Sequence, residues 1–326
     1  MKNIFVFIFA LFVIIICIPM LLIQGCDVHK PKVVKEPIVE SEPVVRVYMH
    51  ETGEIKLLSL EEYIKGVVAG EMPAAFQMEA LKAQAVAART YAVSRMNAYG
   101  KDGHPAHKGA ELCDSVHCQV WLSKEKLRKL KSDNWMKDYW PKIEKAVEET
   151  KGLIMTYEGE PVKQPLFHST SGGKTENSED VFAAWVPYLR SVDSPYEERA
   201  PHLQDEQIVS AKTFIDKIKN KYSDCNINSY KLDSLKVLER SEGGRVLKLK
   251  VGNKIITGRE LRELLGLRSA NFKIDVEGDN IKFITSGYGH GVGMSQWGAN
   301  GMAERGYKFD EILKHYYVGV EINKMK

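Results

Sequence analysis

The sequence is poor in cysteine: 5 in 326 residues, at positions 17, 26, 113, 118 and 225. Such scattered spacing is no disulfide framework, so the fold has to be held by an ordinary core. Charge of one sign is lacking as well. With 46 Lys+Arg against 43 Asp+Glu the net charge is +3, and no basic run carries interleaved aromatics, so a nucleic-acid partner is not expected. G-x-G-x-x-G and H-E-x-x-H are absent, which removes the dinucleotide fold and the zinc-peptidase helix. There is no internal repeat, and strands and helices follow each other without βαβ regularity. The class expected is therefore α+β: mixed helices and antiparallel hairpins around a substrate groove.

What is present starts with one long hydrophobic run. Ile4 to Ile23 is apolar apart from Cys17 and Pro19. At about 1.5 Å per residue it just spans the roughly 30 Å hydrocarbon core of a bilayer. It is longer than a signal-peptide centre, and Gln24 is out of place in a lipoprotein-like box ending at Cys26. Residues 1–26 therefore read as an uncleaved N-terminal transmembrane anchor. Lys2 precedes it and Lys30, Lys32 and Lys35 follow it, so charge alone does not set its orientation. Residues 27–45 carry Pro31, Pro37 and Pro43 among alternating Lys, Glu and Val, and read as an extended spacer. Residues 46–326 read as the working domain, with a subdomain over 205–268.

The patterning predicts a hairpin over 44–49 and 54–58, then a helix from 57 to 69 opened by a Ser59/Glu62 capping box. Helices are expected over 78–95, 123–151, 205–222, 259–264, 295–303 and 309–316. Further strands are expected over 153–157 and 162–169, over 237–239, 246–251 and 254–257, and as a hairpin over 272–276 and 281–285.

Gly70-Glu71-Met72-Pro73 breaks the chain between two of these helices. Glu71 is either a solvent-facing helix-end glutamate or a carboxyl in an apolar turn, where burial raises the pKa and favours proton donation. The next helix is rich in alanine, and Lys82, Val86, Arg89 and Val93 share one of its faces. Two cations on a helix built for burial need anionic partners, Glu71 among the candidates. They either orient the helices or serve the chemistry.

Three other stretches concentrate polar groups. His168-Ser-Thr-Ser-Gly-Gly-Lys-Thr-Glu follows a strand and crowds hydroxyls around Gly172 and Gly173. Its S-x-x-K match lacks the companion signatures of penicillin-binding proteins, because Glu176 stands where a glycine is needed. The stretch reads as a substrate-binding loop through Ser169 and Ser171, or as a turn held by its own serines. Gly287-Tyr-Gly-His-Gly-Val-Gly-Met-Ser-Gln-Trp-Gly places glycine at every second position, which in a strand strips one face; His290, Ser295 and Gln296 project from it. His107, Cys113, His117 and Cys118 offer four ligands, enough for a closed structural zinc, with His104 as a spare; a Cys113–Cys118 disulfide is the other reading. Trp121, Trp185, Trp297 and Tyr288 can stack on sugar faces or fill a core.

Taken in order, the Gly70–Pro73 break with its alanine-rich helix, the His168–Glu176 stretch and the Gly287–Gly298 stretch strongly resemble the stage II sporulation protein D family. The resemblance runs from about Val45 to the C terminus. It implies a membrane-tethered peptidoglycan lytic transglycosylase of endospore-forming bacteria, single-pass, with its catalytic domain extracytoplasmic at the sporulation septum. Its implied partners are the amidase stage II sporulation protein P and the membrane protein stage II sporulation protein M, and it leaves room for a homodimer. The family's catalytic glutamate falls on Glu71 and its helix cations on Lys82 and Arg89. A Cys/His zinc site of some members falls on His107, Cys113, His117 and Cys118, with a gap after Cys113 that is one residue short. Relatives also include non-catalytic enhancers of a wall amidase.

Overall fold

In the computed structural model the described residues are 32–35, 42–96, 103–228, 232 and 235–325. The expected anchor over 1–26 and most of the expected spacer lie outside them. Among the described residues no helix is long and apolar enough to cross a membrane.

The chain begins with β1 (Val33–Lys35), β2 (Val44–Tyr48) and β3 (Ile55–Ser59), followed by α1 (Leu60–Glu71) and α2 (Met78–Val93). Then come β4 (Leu112–Cys113), α3 (Lys124–Leu130), α4 (Asp133–Glu149), β5 (Leu153–Tyr157), β6 (Glu160–Pro161), β7 (Phe167–His168) and α5 (Ser178–Phe182). A second stretch holds β8 (Gln204–Ser210), α6 (Ala211–Lys221), β9 (Lys236–Arg240), β10 (Val246–Val251), β11 (Lys254–Ile256), α7 (Gly258–Leu265), β12 (Phe272–Glu277) and β13 (Asn280–Ser286). The chain closes with β14 (Met294–Ser295), α8 (Gln296–Glu304), α9 (Phe309–Tyr316) and β15 (Glu321–Lys324). The α+β class holds, with small sheets rather than one large one.

Helix α2 is the axis of the first core. Ala80, Ala83, Ala85, Ala87 and Ala88 are fully buried, and their small side chains let α1, α4, α8 and β5 close around it. Enlarging any of them would force neighbours off their rotamers, at about 1–3 kcal/mol. A second buried cluster gathers Val209, Phe214, Ile218, Leu249, Leu261, Phe272 and Phe283 from the 204–286 stretch. Its antiparallel sheet has the order β12-β13-β8, and a smaller one the order β11-β10-β9.

Several expectations need correction. The first helix starts at Leu60, because residues 55–59 pair with β2 as a strand. Ser59 is its N-cap residue but caps nothing: its hydroxyl is buried without a partner, and Glu62 pairs with Lys65 instead. The 123–151 helix is two helices, since Ser132 caps a new one through Trp135 N–H. The 205–222 helix is half strand: residues 204–210 pair along β13, and Ser210 then caps α6. Only Phe167–His168 of the 162–169 strand forms, parallel to β14. Within the expected spacer, Val33–Lys35 runs parallel to β3 as an edge strand.

Candidate functional site

Proline sets the position of Glu71. Steric conflict with a following proline ring drives the preceding residue out of the helical region. Met72 accordingly is extended, with φ −123° and ψ 140°, and α1 stops at Glu71. The carboxylate thus sits on the last helical residue, at the negative end of the helix dipole, where an anion is disfavoured. It is half-buried and accepts one hydrogen bond, from Val120 N–H to its Oε1 at 2.6 Å. Gly70 makes that approach feasible: a Cβ there would stand 2.6 Å from the Val120 carbonyl oxygen. Burial raises the Glu71 pKa above its ordinary value, and the Val120 amide offsets part of the rise. Among the described residues no cation acts on the carboxyl.

The turn after Glu71 is pinned from α8. Gln296 donates from Nε2 to the Glu71 backbone carbonyl at 2.9 Å, and Asn300 accepts from Gln77 N–H at 2.8 Å. Trp297 meets Phe76 edge-on, centroids 4.7 Å apart, so it is a packing residue. From the other side Lys142 donates to the carbonyls of Ala75 and Phe76. Gln296 is therefore at the site, but it acts on the backbone of Glu71.

Lys82 and Arg89 do not join them. Lys82 bridges Glu79 at 2.9 Å and Glu149 at 2.6 Å, tying α2 to α4. Arg89 is fully buried and forks onto Glu61, with Nε at 2.9 Å from Oε1 and a terminal nitrogen at 2.6 Å from Oε2. It also reaches the carbonyls of Val147 and Leu153. The anionic partners of these cations are Glu79 and Glu149 for Lys82 and Glu61 for Arg89, not Glu71, and both cations hold helices together.

The serine–glycine loop is also occupied from within. Ser171 N–H donates to Glu197 Oε1 at 2.8 Å, and Gly172 and Gly173 N–H donate to Oε2 at 2.9 and 3.2 Å. Ser194 and Ser295 add their hydroxyls. These amides form an anion nest, and the chain's own buried Glu197 fills it. Ser171, Gly172, Gly173 and Ser295 therefore donate to the fold rather than to a substrate. Ser169 contributes its carbonyl to Trp297 N–H at 3.1 Å. His168 Nε2 lies 2.8 Å from the Ser171 hydroxyl, but its Nδ1 faces the Val292 carbonyl and Ser171 is fully buried. A hydrolytic serine needs access and an orienting acid, and this pair has neither.

The alternate glycines form a loop, not a strand. Gly287, Gly289, Gly291 and Gly293 have φ between 74° and 113°, which side chains rarely tolerate. At Gly291 a Cβ would also run into the Arg245 guanidinium, so only glycine fits. His290 from this loop lines a cleft of about 870 Å³ with Phe182, Arg245, Arg259 and Arg262. Glu71 is not among the residues lining that cleft.

Four side chains could hold a metal: His104, Cys113, His117 and Cys118, with donor atoms within 4.8 Å of one another. The expected His107 is replaced by His104, because the His107 ring stacks flat on Tyr48, centroids 3.7 Å apart. Both cysteines are free thiols, so the disulfide reading fails in this structure. His104 Nε2 lies 3.1 Å from His117 Nδ1, which lies 3.8 Å from Cys118 Sγ. The edges of a tetrahedral zinc site with two nitrogens and two sulfurs are roughly 3.3–3.8 Å, so the donor set fits. Burial and neighbouring histidines hold the His104 imidazole down at about 4, neutral as a ligand must be.

With the geometry in place, comparison with known proteins decides the lineage. Stage II sporulation protein D of Bacillus amyloliquefaciens is 40% identical over 294 residues, covering 89% of this chain and 81% of that protein. The chain belongs to the stage II sporulation protein D family. The Bacillus subtilis protein of that name is 39% identical with the same 81% coverage. A stage II sporulation protein family model matches residues 48–157, the stretch that contains Glu71, the metal ligands and α2. A domain of unknown function matches 205–293, which takes in the second buried cluster. The amidase enhancer of Bacillus subtilis is 30% identical, but this chain covers only 40% of it.

Sequence reasoning missed three residues that this family member uses to build the site. Val120 enters through a backbone amide, which carries no side-chain signature. Glu197 lies outside every glycine-rich stretch. Glu61 was legible: it falls on the same helical stripe as Ile64 and Val68, both fully buried.

Proposed function

We propose that the chain is a membrane-anchored peptidoglycan lytic transglycosylase that acts in sporulation, cleaving MurNAc-β-1,4-GlcNAc bonds to 1,6-anhydro products. The observation that carries the reading is Glu71, a half-buried carboxyl at a helix C-terminus, its pKa raised by burial with no cation acting on it among the described residues. Such a group holds its proton at a higher pH than a surface glutamate and can serve as a general acid. The Glu71 O–H protonates the glycosidic oxygen as the C1–O4 bond breaks. The resulting carboxylate takes the proton of the sugar's C6 hydroxyl while O6 bonds to C1. No water is consumed, so one carboxyl suffices where hydrolytic glycosidases need two.

Gln296 and Lys142 act on the backbone around Glu71, fixing where its carboxyl points. Val120 N–H holds one carboxyl oxygen in both protonation states. A zinc ion on His104, Cys113, His117 and Cys118 would be structural, with no open position, and would pin the loop that delivers Val120. The apolar run over 4–23 supports an anchor, and family membership supports a domain outside the membrane, at the sporulation septum. There the amidase stage II sporulation protein P and stage II sporulation protein M are the expected company.

A second reading is an amidase enhancer that binds wall without cutting it. Similarity to a protein of that name favours it, as does a large cleft from which Glu71 is absent. Product analysis separates the two. Purified wall treated with the chain should yield anhydro-muropeptides, and Glu71→Gln should yield none. No anhydro product from the unmodified chain, with amidase activity still stimulated, would establish the enhancer.

A further inference from the structure

The 870 Å³ cleft has the size of a small-ligand site and no part in the mechanism above. It is lined by Val116 of the Cys113–Cys118 loop, Phe182 of α5, His290 of the glycine loop and three arginines, Arg245, Arg259 and Arg262. Val116 and Phe182 are exposed apolar side chains at its mouth, 88% and 37% accessible.

The three arginines differ in what they already hold. Arg245 is buried and paired with Glu176 at 3.0 Å. Arg259 places Nε on Glu263 at 2.9 Å and a terminal nitrogen on the Val181 carbonyl at 3.1 Å. Arg262 places Nε on the carbonyls of Leu267 and Arg268 at 3.3 and 3.2 Å, and among the described residues its two terminal nitrogens have no partner. Two acids that also line the cleft are committed: Glu263 to Arg259, and Glu260 to the Tyr222 hydroxyl at 2.8 Å and to Thr257. Asp180 accepts from Asn177 at 3.4 Å. The Arg262 terminal nitrogens are thus a half-buried guanidinium fork without a partner among the described residues, the geometry that suits a planar carboxylate. His290 reports the local field: burial and the facing Arg245, Arg262 and Arg259 push its imidazole down to about 3.

We propose that this cleft is a carboxylate-binding subsite for the glycan strand, in which the Arg262 fork grips the lactyl carboxylate of an N-acetylmuramic acid residue. The proposal rests on the reading of peptidoglycan as the ligand. A lactyl ether offers a carboxylate beside a methyl group, and the cleft is lined by the Arg262 guanidinium together with the apolar Phe182 and Val116. Stem peptides carry carboxylates too, so the source has to be distinguished by experiment.

Binding is measured with the full chain carrying Glu71→Gln, so that nothing is cleaved. The probes are a GlcNAc–MurNAc oligosaccharide without stem peptides, the same compound with its lactyl acids reduced to alcohols, and free stem peptide as competitor. The acid should bind at least about tenfold more tightly than the alcohol, the value of a charged hydrogen-bonded pair. Arg262→Gln should bring binding of the acid down to that of the alcohol measured on the same variant. Arg259→Glu, a charge reversal in the same cleft, should weaken the acid more than the alcohol. Equal binding of acid and alcohol overturns the proposal, as does displacement of the oligosaccharide by stem peptide alone. The outcomes also separate the two readings. Cleavage by the unmodified chain without an acid–alcohol difference sinks only the subsite. An acid–alcohol difference without cleavage sinks only the transglycosylase.

Discussion

Glu71 and Glu197 are carboxylates in adjoining parts of one fold, and their surroundings are opposite. Glu197 is buried among three backbone amides and two hydroxyls, every one aimed at its oxygens. Glu71 is less buried, yet it has a single amide and stands at the unfavourable end of a helix. A carboxylate surrounded by donors is a structural element, because its charge is fully answered. One left short of donors is under tension to stay protonated, and that is a property of proton-transfer groups. The glycine-rich loop that looks made for substrate belongs to the first kind, and the plain helix end to the second.

The largest effect expected from this contrast is on activity. Glu71→Gln keeps the Val120 hydrogen bond and removes only the titratable proton. It should lower glycan cleavage by about 10²–10⁴-fold with the fold intact, checked by anhydro-product yield and thermal unfolding. Glu197→Ala should do the reverse. Three amides and two hydroxyls would lose their acceptor, at a cost on the order of 3–5 kcal/mol. Urea unfolding should show the lower midpoint, and a variant as stable as the parent would mean that the nest is open to substrate after all.

Much of this was legible in the sequence. Strands over 246–251 and 272–285, the alanine-rich helix and the terminal helices follow from period and capping. So does the carboxyl at Glu71, because Met72-Pro73 has to end a helix there. What sequence could not give was partnership. Local pattern says that Arg89 and the 171–173 amides need acceptors, but not that Glu61 and Glu197 supply them from 28 and 26 residues away. The same limit exchanged His104 for His107, since stacking on Tyr48 is a tertiary choice. It also turned the glycine repeat into a strand, because period alone does not show the sign of φ.

Arg89 and Glu61 sharpen the comparison one step further down in size. Both are buried, so losing one leaves the other uncompensated. Arg89→Met should destabilise the chain by about 3–5 kcal/mol, whereas Arg89→Met with Glu61→Leu should recover most of that loss. A double-mutant cycle in urea gives the coupling. Recovery of stability with full cleavage would confine the pair to structure, and loss of cleavage at full stability would return Arg89 to the chemistry.

The smallest effect is the most specific to Glu71. Its folded-state pKa lies above its unfolded value, so between the two the folded chain keeps a proton that the unfolded chain has lost. By linkage its contribution to stability is greatest below the ordinary glutamate value of about 4.3 and declines as pH rises through the raised one. Glutamine has no charge to desolvate. Glu71→Gln should therefore be more stable than the parent at pH 7, within the roughly 0.5–2 kcal/mol of a single stabilising substitution. The advantage should shrink on acidification and vanish near pH 4, where both states of the parent are protonated. Parallel melts of the two proteins across pH 4–8 read this directly. A parent that is the more stable of the two at pH 7 would place Glu71 with Glu197, as a carboxyl held in place by its donors.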